Sequence, residues 1–148
     1  HTQTPEHPEN CKYSLNYCLL PLVAENPQIK CTVYLAPYHI YTYCQSEQFG
    51  EADGLIRQRT LVMKELLKYP NVTLHDYQAD RSFVCNSDFF SDVQHFSSKA
   101  ARRLLSDLAS GRRVLKSDAD VDANEKELRD LIKEQMPLYY ADLAKYKK

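Results

Sequence analysis

Apolar residues recur at helical spacing in four stretches of this chain and gather without alternation in two short ones. Ser14 is placed to cap a first helix whose Leu15, Cys18, Leu19, Leu22 and Val23 share a face, and Asn26-Pro27 ends it. Cys31 to Ala36 is a compact run of β-branched and aromatic residues with little alternation, which predicts a strand covered on both faces and closed by Pro37. Glu51 to Lys68 predicts a long helix, with Leu55, Val62, Leu66 and Ile56, Met63, Leu67 forming two adjacent buried rows. Tyr69-Pro70-Asn71 breaks it, and Val72 to Tyr77 predicts a second strand. A further helix from about Lys99 to Ser110 has Ser97 or Ser98 as cap, Leu104, Leu105 and Leu108 as stripe and Gly111 as stop. After an acidic linker, Ser117 to Asp122, a last helix from about Ala123 carries Leu128, Leu131 and Ile132 on one face. Pro137 is expected to kink or end it.

Strand, long helix and strand in this order fit one right-handed crossover unit, so the expected class is α/β with a mostly parallel sheet. The chain then divides into a polar, proline-bearing lead (1–13), an α/β body (14–116) and a C-terminal helix and tail (117–148). Two strands cannot shield both faces of the helices around them. The expectation is therefore that an N-terminal segment or a second chain completes the sheet, and a start at His1 rather than Met fits a processed or truncated end.

Composition narrows the partners. A formal charge of -1 with interspersed signs leaves no electrostatic footprint for nucleic acid, and the longest apolar run, Cys18 to Ala24, is too short to span a membrane. Five cysteines lack the C-x-x-C spacing of a zinc or redox site. Cys31 reads as a buried structural thiol, whereas Cys11, Cys18, Cys44 and Cys85 read as more exposed and able to form one or two disulfides in an oxidising compartment. Asn71-Val72-Thr73 is a glycosylation sequon of little weight by itself.

The candidate chemistry lies in Asp92-Val93-Gln94-His95-Phe96, just before a capped helix. Spacing of three lets a carboxylate orient its own imidazole from one local turn, which makes His95 a candidate general base and Asp92 its orienting partner. The bland reading is that Asp92 caps the turn and His95 is a surface residue at a helix start. No Gly-Asp-Ser or Gly-x-Ser-x-Gly nucleophile turn occurs in the chain. Tyr38, His39, Tyr41 and Tyr43, just past the first strand, stand where open α/β sheets bind ligands and offer faces and hydroxyls for a sugar; they serve equally as a half-buried wall. His75, Asp76, Asp92 and His95 fit no metal-ligand spacing, so neither a metal nor another cofactor is expected. Arg102, Arg103, Arg112 and Arg113 read as a solvated helix face and end.

The order of Asn26-Pro27, Tyr34-Leu35-Ala36-Pro37-Tyr38-His39, the long helix, Tyr69-Pro70-Asn71-Val72, Asp76-Tyr77 and Asp88-(x)3-Asp92-(x)2-His95-Phe96-Ser97 resembles the C-terminal half of SGNH-superfamily proteins. It is most similar to membrane-anchored members from surface-polysaccharide loci, over roughly Ser14 to Lys133, and Gly111 to Leu115 fits the same pattern. The resemblance implies a three-layer αβα, flavodoxin-like fold, incomplete without upstream residues. It implies an extracytoplasmic or secreted setting, and Asp92 and His95 as the last catalytic block of a serine-dependent esterase or O-acyltransferase. The substrate would be an acylated glycan or small ester, with the nucleophilic serine outside these residues. The alternative is a non-catalytic α/β carbohydrate-binding or interaction domain that retains the fold.

Overall fold

The computed structural model describes residues 15–146. The lead at 1–13, the Ser14 cap and Cys11 lie outside them. A π-helical turn, Leu15–Leu19, runs into α1 (Leu20–Glu25), followed by β1 (Cys31–Leu35), α2 (Ile40–Gln48), α3 (Ala52–Leu66), β2 (Val72–Asp76), a single turn α4 (Arg81–Val84), a 3-10 turn (Ser87–Phe89), α5 (Ser98–Ala109), β3 (Val114–Leu115) and α6 (Asp118–Tyr146). The class is α/β: a small mixed sheet of order β1-β2-β3 inside a mostly helical chain. β1 and β2 are parallel, with Cys31 opposite Val72 and Leu35 opposite Asp76.

β3 was not expected from the sequence. It is antiparallel to β2 and pairs only Leu74 with Leu115 and His75 with Val114. Two residues are too few to show a period. Its position follows from the end of α5, where Gly111 at φ +72° takes the left-handed conformation, and the Gly111 and Arg112 N–H groups donate to the Leu108 and Asp107 carbonyls.

Period-2 geometry points Leu74 toward Met63, Leu66, Leu115 and Val121, with Val33, Leu35 and Val72 beside them. A second core joins α2, α3 and α6 through Ile40, Tyr43, Ile56, Leu128, Leu131 and Ile132. A third gathers Tyr77, Phe83, Phe89, Ala100 and Leu104 beyond the end of β2. The expectation that β1 is covered on both faces is corrected: Thr32 is exposed and Tyr34 is 41% exposed, because they point to the face opposite Val33 and Leu35, which pack on the core.

One stretch gains a helix and two further expectations change. The tyrosine-rich stretch after β1 is helical from Ile40, because His39 caps it by accepting the Tyr41 N–H on Nδ1 at 3.2 Å. The acidic linker is the first turn of α6, with Ser117 Oγ accepting from Asp120 N at 3.2 Å. α6 also does not end at Pro137 but continues to Tyr146. Pro137 and Lys133, whose carbonyl the proline frees, are both exposed, so solvent can satisfy the lost bond. The turns beyond are held to α2, since Tyr139 Oη donates to Gln48 at 2.9 Å and Tyr41 Oη to Asp142 at 2.7 Å.

Arg59 and Asn124 interrupt apolar stripes on α3 and α6. Arg59 donates through Nη2 to both Asp76 and Asn124, and the Arg59 and Asp76 side chains are 5% and 0% exposed. Removing one partner of a buried pair strands the other. Asp76→Ala is therefore expected to destabilise the fold by about 3–5 kcal/mol in urea unfolding, whereas Lys126→Ala, which breaks an exposed pair with Asp130, should leave the urea midpoint unchanged. Equal midpoints for the two variants would contradict this account.

Candidate functional site

The segment from Asp76 to Ser97 folds through short polar side chains that accept N–H groups just downstream. Asp76 takes Gln78 N and Ala79 N at 3.2 and 3.3 Å, Asp80 takes Ser82 N at 2.9 Å, and Asn86 takes Asp88 N at 3.1 Å. Asp92 continues the series, with Oδ1 accepting both Gln94 N and His95 N at 2.8 Å. Ser97 then caps α5 through Ala100 N. Each device is an Asx-type turn or N-cap, which orders backbone where no ladder is available.

Asp92 holds the side chain of His95 as well. His95 Nδ1 lies 2.8 Å from Asp92 Oδ2 and 3.0 Å from Oδ1. A carboxylate accepts, so Nδ1 carries a proton, and in the neutral ring Nε2 holds the lone pair. The Gln94 N–H, the His95 side chain and the His95 N–H hold the Asp92 carboxyl down to about 2. The pair stands in the open, with side chains 57% and 76% exposed for Asp92 and His95.

Of the other predicted site residues, His39 lies against this turn. His39 N donates to Val93 O at 3.0 Å, and Thr42 Oγ1 donates to the same oxygen at 2.6 Å. The N-terminus of α2 and the Asp92–His95 turn thus meet at Val93. Tyr38, 38% exposed, is next in chain to this junction. His39 is 8% exposed, and Tyr41 is half-buried, its hydroxyl pushed up to about 12 by burial and by its bond to Asp142. The structure thus brings His39 to the Asp92–His95 turn, while Tyr38 adjoins it in the chain and Tyr41 turns its hydroxyl away to Asp142 on α6.

Sequence reasoning missed Arg59, Asn124 and Gln78. Arg59 falls between Ile56 and Met63, and Asn124 between Val121 and Leu128, so polar interruptions of buried stripes were the available signal. Gln78 left none; it ties Tyr43 Oη to the Ala36 carbonyl with bonds of 2.7 and 2.8 Å. The thiols also differ from expectation. Cys31 is only half-buried, while Cys44 is fully buried and pushed up to about 11 by desolvation. Cys18, Cys31, Cys44 and Cys85 are free thiols. The Asn71 amide nitrogen, where a glycan would attach, is directed at the Val23, Asn26 and Ile29 carbonyls at 3.1–3.2 Å.

Two hollows along α6, of about 350 and 200 Å³, are lined largely by charged side chains and include none of the five predicted residues. Among the described residues no helix is long and apolar enough to cross a membrane. Comparison with protein-family models, curated proteins and solved structures returned no match to this chain.

The depressed Asp92 value has a pH consequence. A carboxylate whose folded value lies below its unfolded value of about 3.9 supports the turn fully above that pH, and the support is lost as pH falls through about 2. Carboxyl carbon NMR at low salt is expected to show Asp92 titrating near 2, with the Gln94 and His95 amide resonances shifting together with it. An ordinary midpoint near 4 would show that the turn is not formed in solution.

Proposed function

We propose that this chain supplies the Asp-x-x-His half of a serine-dependent esterase or O-acyltransferase acting on an acylated glycan or small ester. The observation that carries the reading is the Asp92–His95 pair itself: a carboxylate fixed by two backbone N–H groups and an exposed imidazole held by it through Nδ1. That is the geometry of a general base awaiting a hydroxyl. His95 Nε2 takes the serine proton as the serine attacks the acyl carbonyl. Asp92 stabilises the imidazolium, which then returns the proton to the departing alkoxide. Water or a sugar hydroxyl resolves the acyl-enzyme. Tyr38 presents its ring at the rim, with His39 and Tyr41 behind it as the wall of the acyl-glycan site.

The serine lies outside these residues on this reading, in an N-terminal segment or a second chain that completes the sheet. The outer edge of β1, unpaired among the described residues, supports this, because an edge strand with free N–H and C=O groups is a template for another strand. Completed in this way the sheet becomes the middle layer of the three-layer αβα fold that the SGNH resemblance implies, in an extracytoplasmic or secreted protein.

A second reading has its own observation. Asp92 accepts the N–H groups after it in the same manner as Asp80 and Asn86, and the pair is open to solvent. A non-catalytic α/β carbohydrate-binding or interaction domain needs the turn and nothing more. The two readings part on one experiment with the full-length polypeptide or its native assembly. Catalysis predicts that a fluorophosphonate labels a serine, and that His95→Ala lowers labelling and release of acetate from acetylated oligosaccharide by about 10³–10⁴-fold. Absence of a labelled serine in folded protein, or labelling indifferent to His95, overturns the esterase reading.

A further inference from the structure

We propose that His39 is a positioning residue that holds the Asp92–His95 turn against the N-terminus of α2; this rests on reading the pair as the base of the site. The residue touches that turn at its base and at its tip. At the base, its ring meets Phe90 edge-on at 5.4 Å, and Phe90 pairs with Phe96 across the turn in an isolated antiparallel bridge. At the tip, its backbone N–H donates to the Val93 carbonyl at 3.0 Å. Val93 lies between Asp92 and His95, so this bond, together with that from Thr42 Oγ1 at 2.6 Å, sets where the couple stands relative to α2.

The two ring nitrogens divide the remaining work. Nδ1 accepts the Tyr41 N–H at 3.2 Å and so must hold a lone pair, which places the proton of the neutral ring on Nε2. Nε2–H faces Ser87 Oγ at 3.4 Å, in the 3-10 turn that leads to Phe90. This tautomer makes His39 a donor to Ser87 and rules it out as a base for that hydroxyl. Burial lowers the His39 pKa and keeps the ring neutral. Tyr41 on α2 is a titratable group against it, and Ser87 and Phe90 also meet the ring. Protonation would point an Nδ1–H at the Tyr41 N–H and break the cap. At 8% exposure the ring sits in the wall behind Tyr38, where it orients the couple.

The test needs no nucleophile. Asp92 carboxyl titration and amide exchange at Gln94 and His95 are followed by NMR in the wild type, His39→Ala, His39→Asn and Ser87→Ala. His39→Ala is expected to move the Asp92 midpoint from about 2 toward ordinary carboxylate values, and to speed exchange at both amides about fivefold, the scale of a lost cap. Asparagine keeps an acceptor for Tyr41 N–H but cannot reach Ser87 or Phe90, so His39→Asn should preserve α2 and still release the turn in part. If alanine prevents folding, the asparagine and Ser87→Ala variants carry the test. An Asp92 midpoint and exchange rates unchanged in the folded variants overturn the proposal, and full rescue by asparagine reduces His39 to a helix cap. Release of the turn without a labelled serine would leave the positioning role standing and remove the esterase. A labelled serine with an unmoved turn would do the reverse.

Discussion

Asp76 ends β2 inside the protein, and its charge is tolerable there only because Arg59 from α3 reaches it while Asn124 from α6 holds the same guanidinium nitrogen. Desolvating both ions costs several kcal/mol each, so such a pair persists where further hydrogen bonds share the charge. Asp76 has them in the N–H groups of Gln78 and Ala79. One buried contact therefore ties the central strand to two helices and turns the chain sharply at the end of the sheet. The exposed pairs, such as Arg81 with Glu134, gain little in water by comparison.

That turn sets the course of everything up to His95. Connections of this length are seldom ordered without elements of their own, and this one is held in two ways. Tyr77, Phe83 and Phe89 sink into a core against α5, while Asp80, Asn86 and Asp92 take up the backbone donors between those anchors. The rim residues are thus fixed by aromatic burial below and polar turns above. Gln78 adds the cross-link to the end of β1, and through it the Pro37–His39 segment is set at a defined distance from the Asp92 turn.

Elements with a strong local period were legible. α3, α5, β1 and β2 lie within one or two residues of where periodicity and caps place them, and Gly111 stops α5 as its conformational freedom suggests. What escaped was tertiary in origin. α2 is a helix because a histidine caps it and because Tyr43 and Cys44 bury against α6, while its tyrosines carry no helical signal alone. Pro137 sits mid-helix because both ends of α6 are pinned by packing. β3 is only two residues long and depends on β2 for its existence. For the site, the spacing of Asp92 and His95 forecast their contact, which is a local property of one turn. The docking of Val93 on His39 joins distant parts of the chain, and no spacing rule reveals it.

The openness of the couple constrains whatever completes it. An ion pair between exposed side chains is screened by water, whereas the imidazolium formed during acyl transfer needs a carboxylate acting at low effective dielectric. On the esterase reading, the partner that brings the serine must also exclude solvent from Asp92 and His95. The outer edge of β1 is suited to both tasks at once. A strand added parallel to it ends beside Pro37 and Tyr38, one backbone bond away from the Val93 carbonyl through His39. A hydroxyl carried on the loop after such a strand would arrive at the same rim, while side chains of the added strand pack beside Tyr34. Completing the sheet and drying the base are then a single structural event, and the binding-domain reading has no need of it.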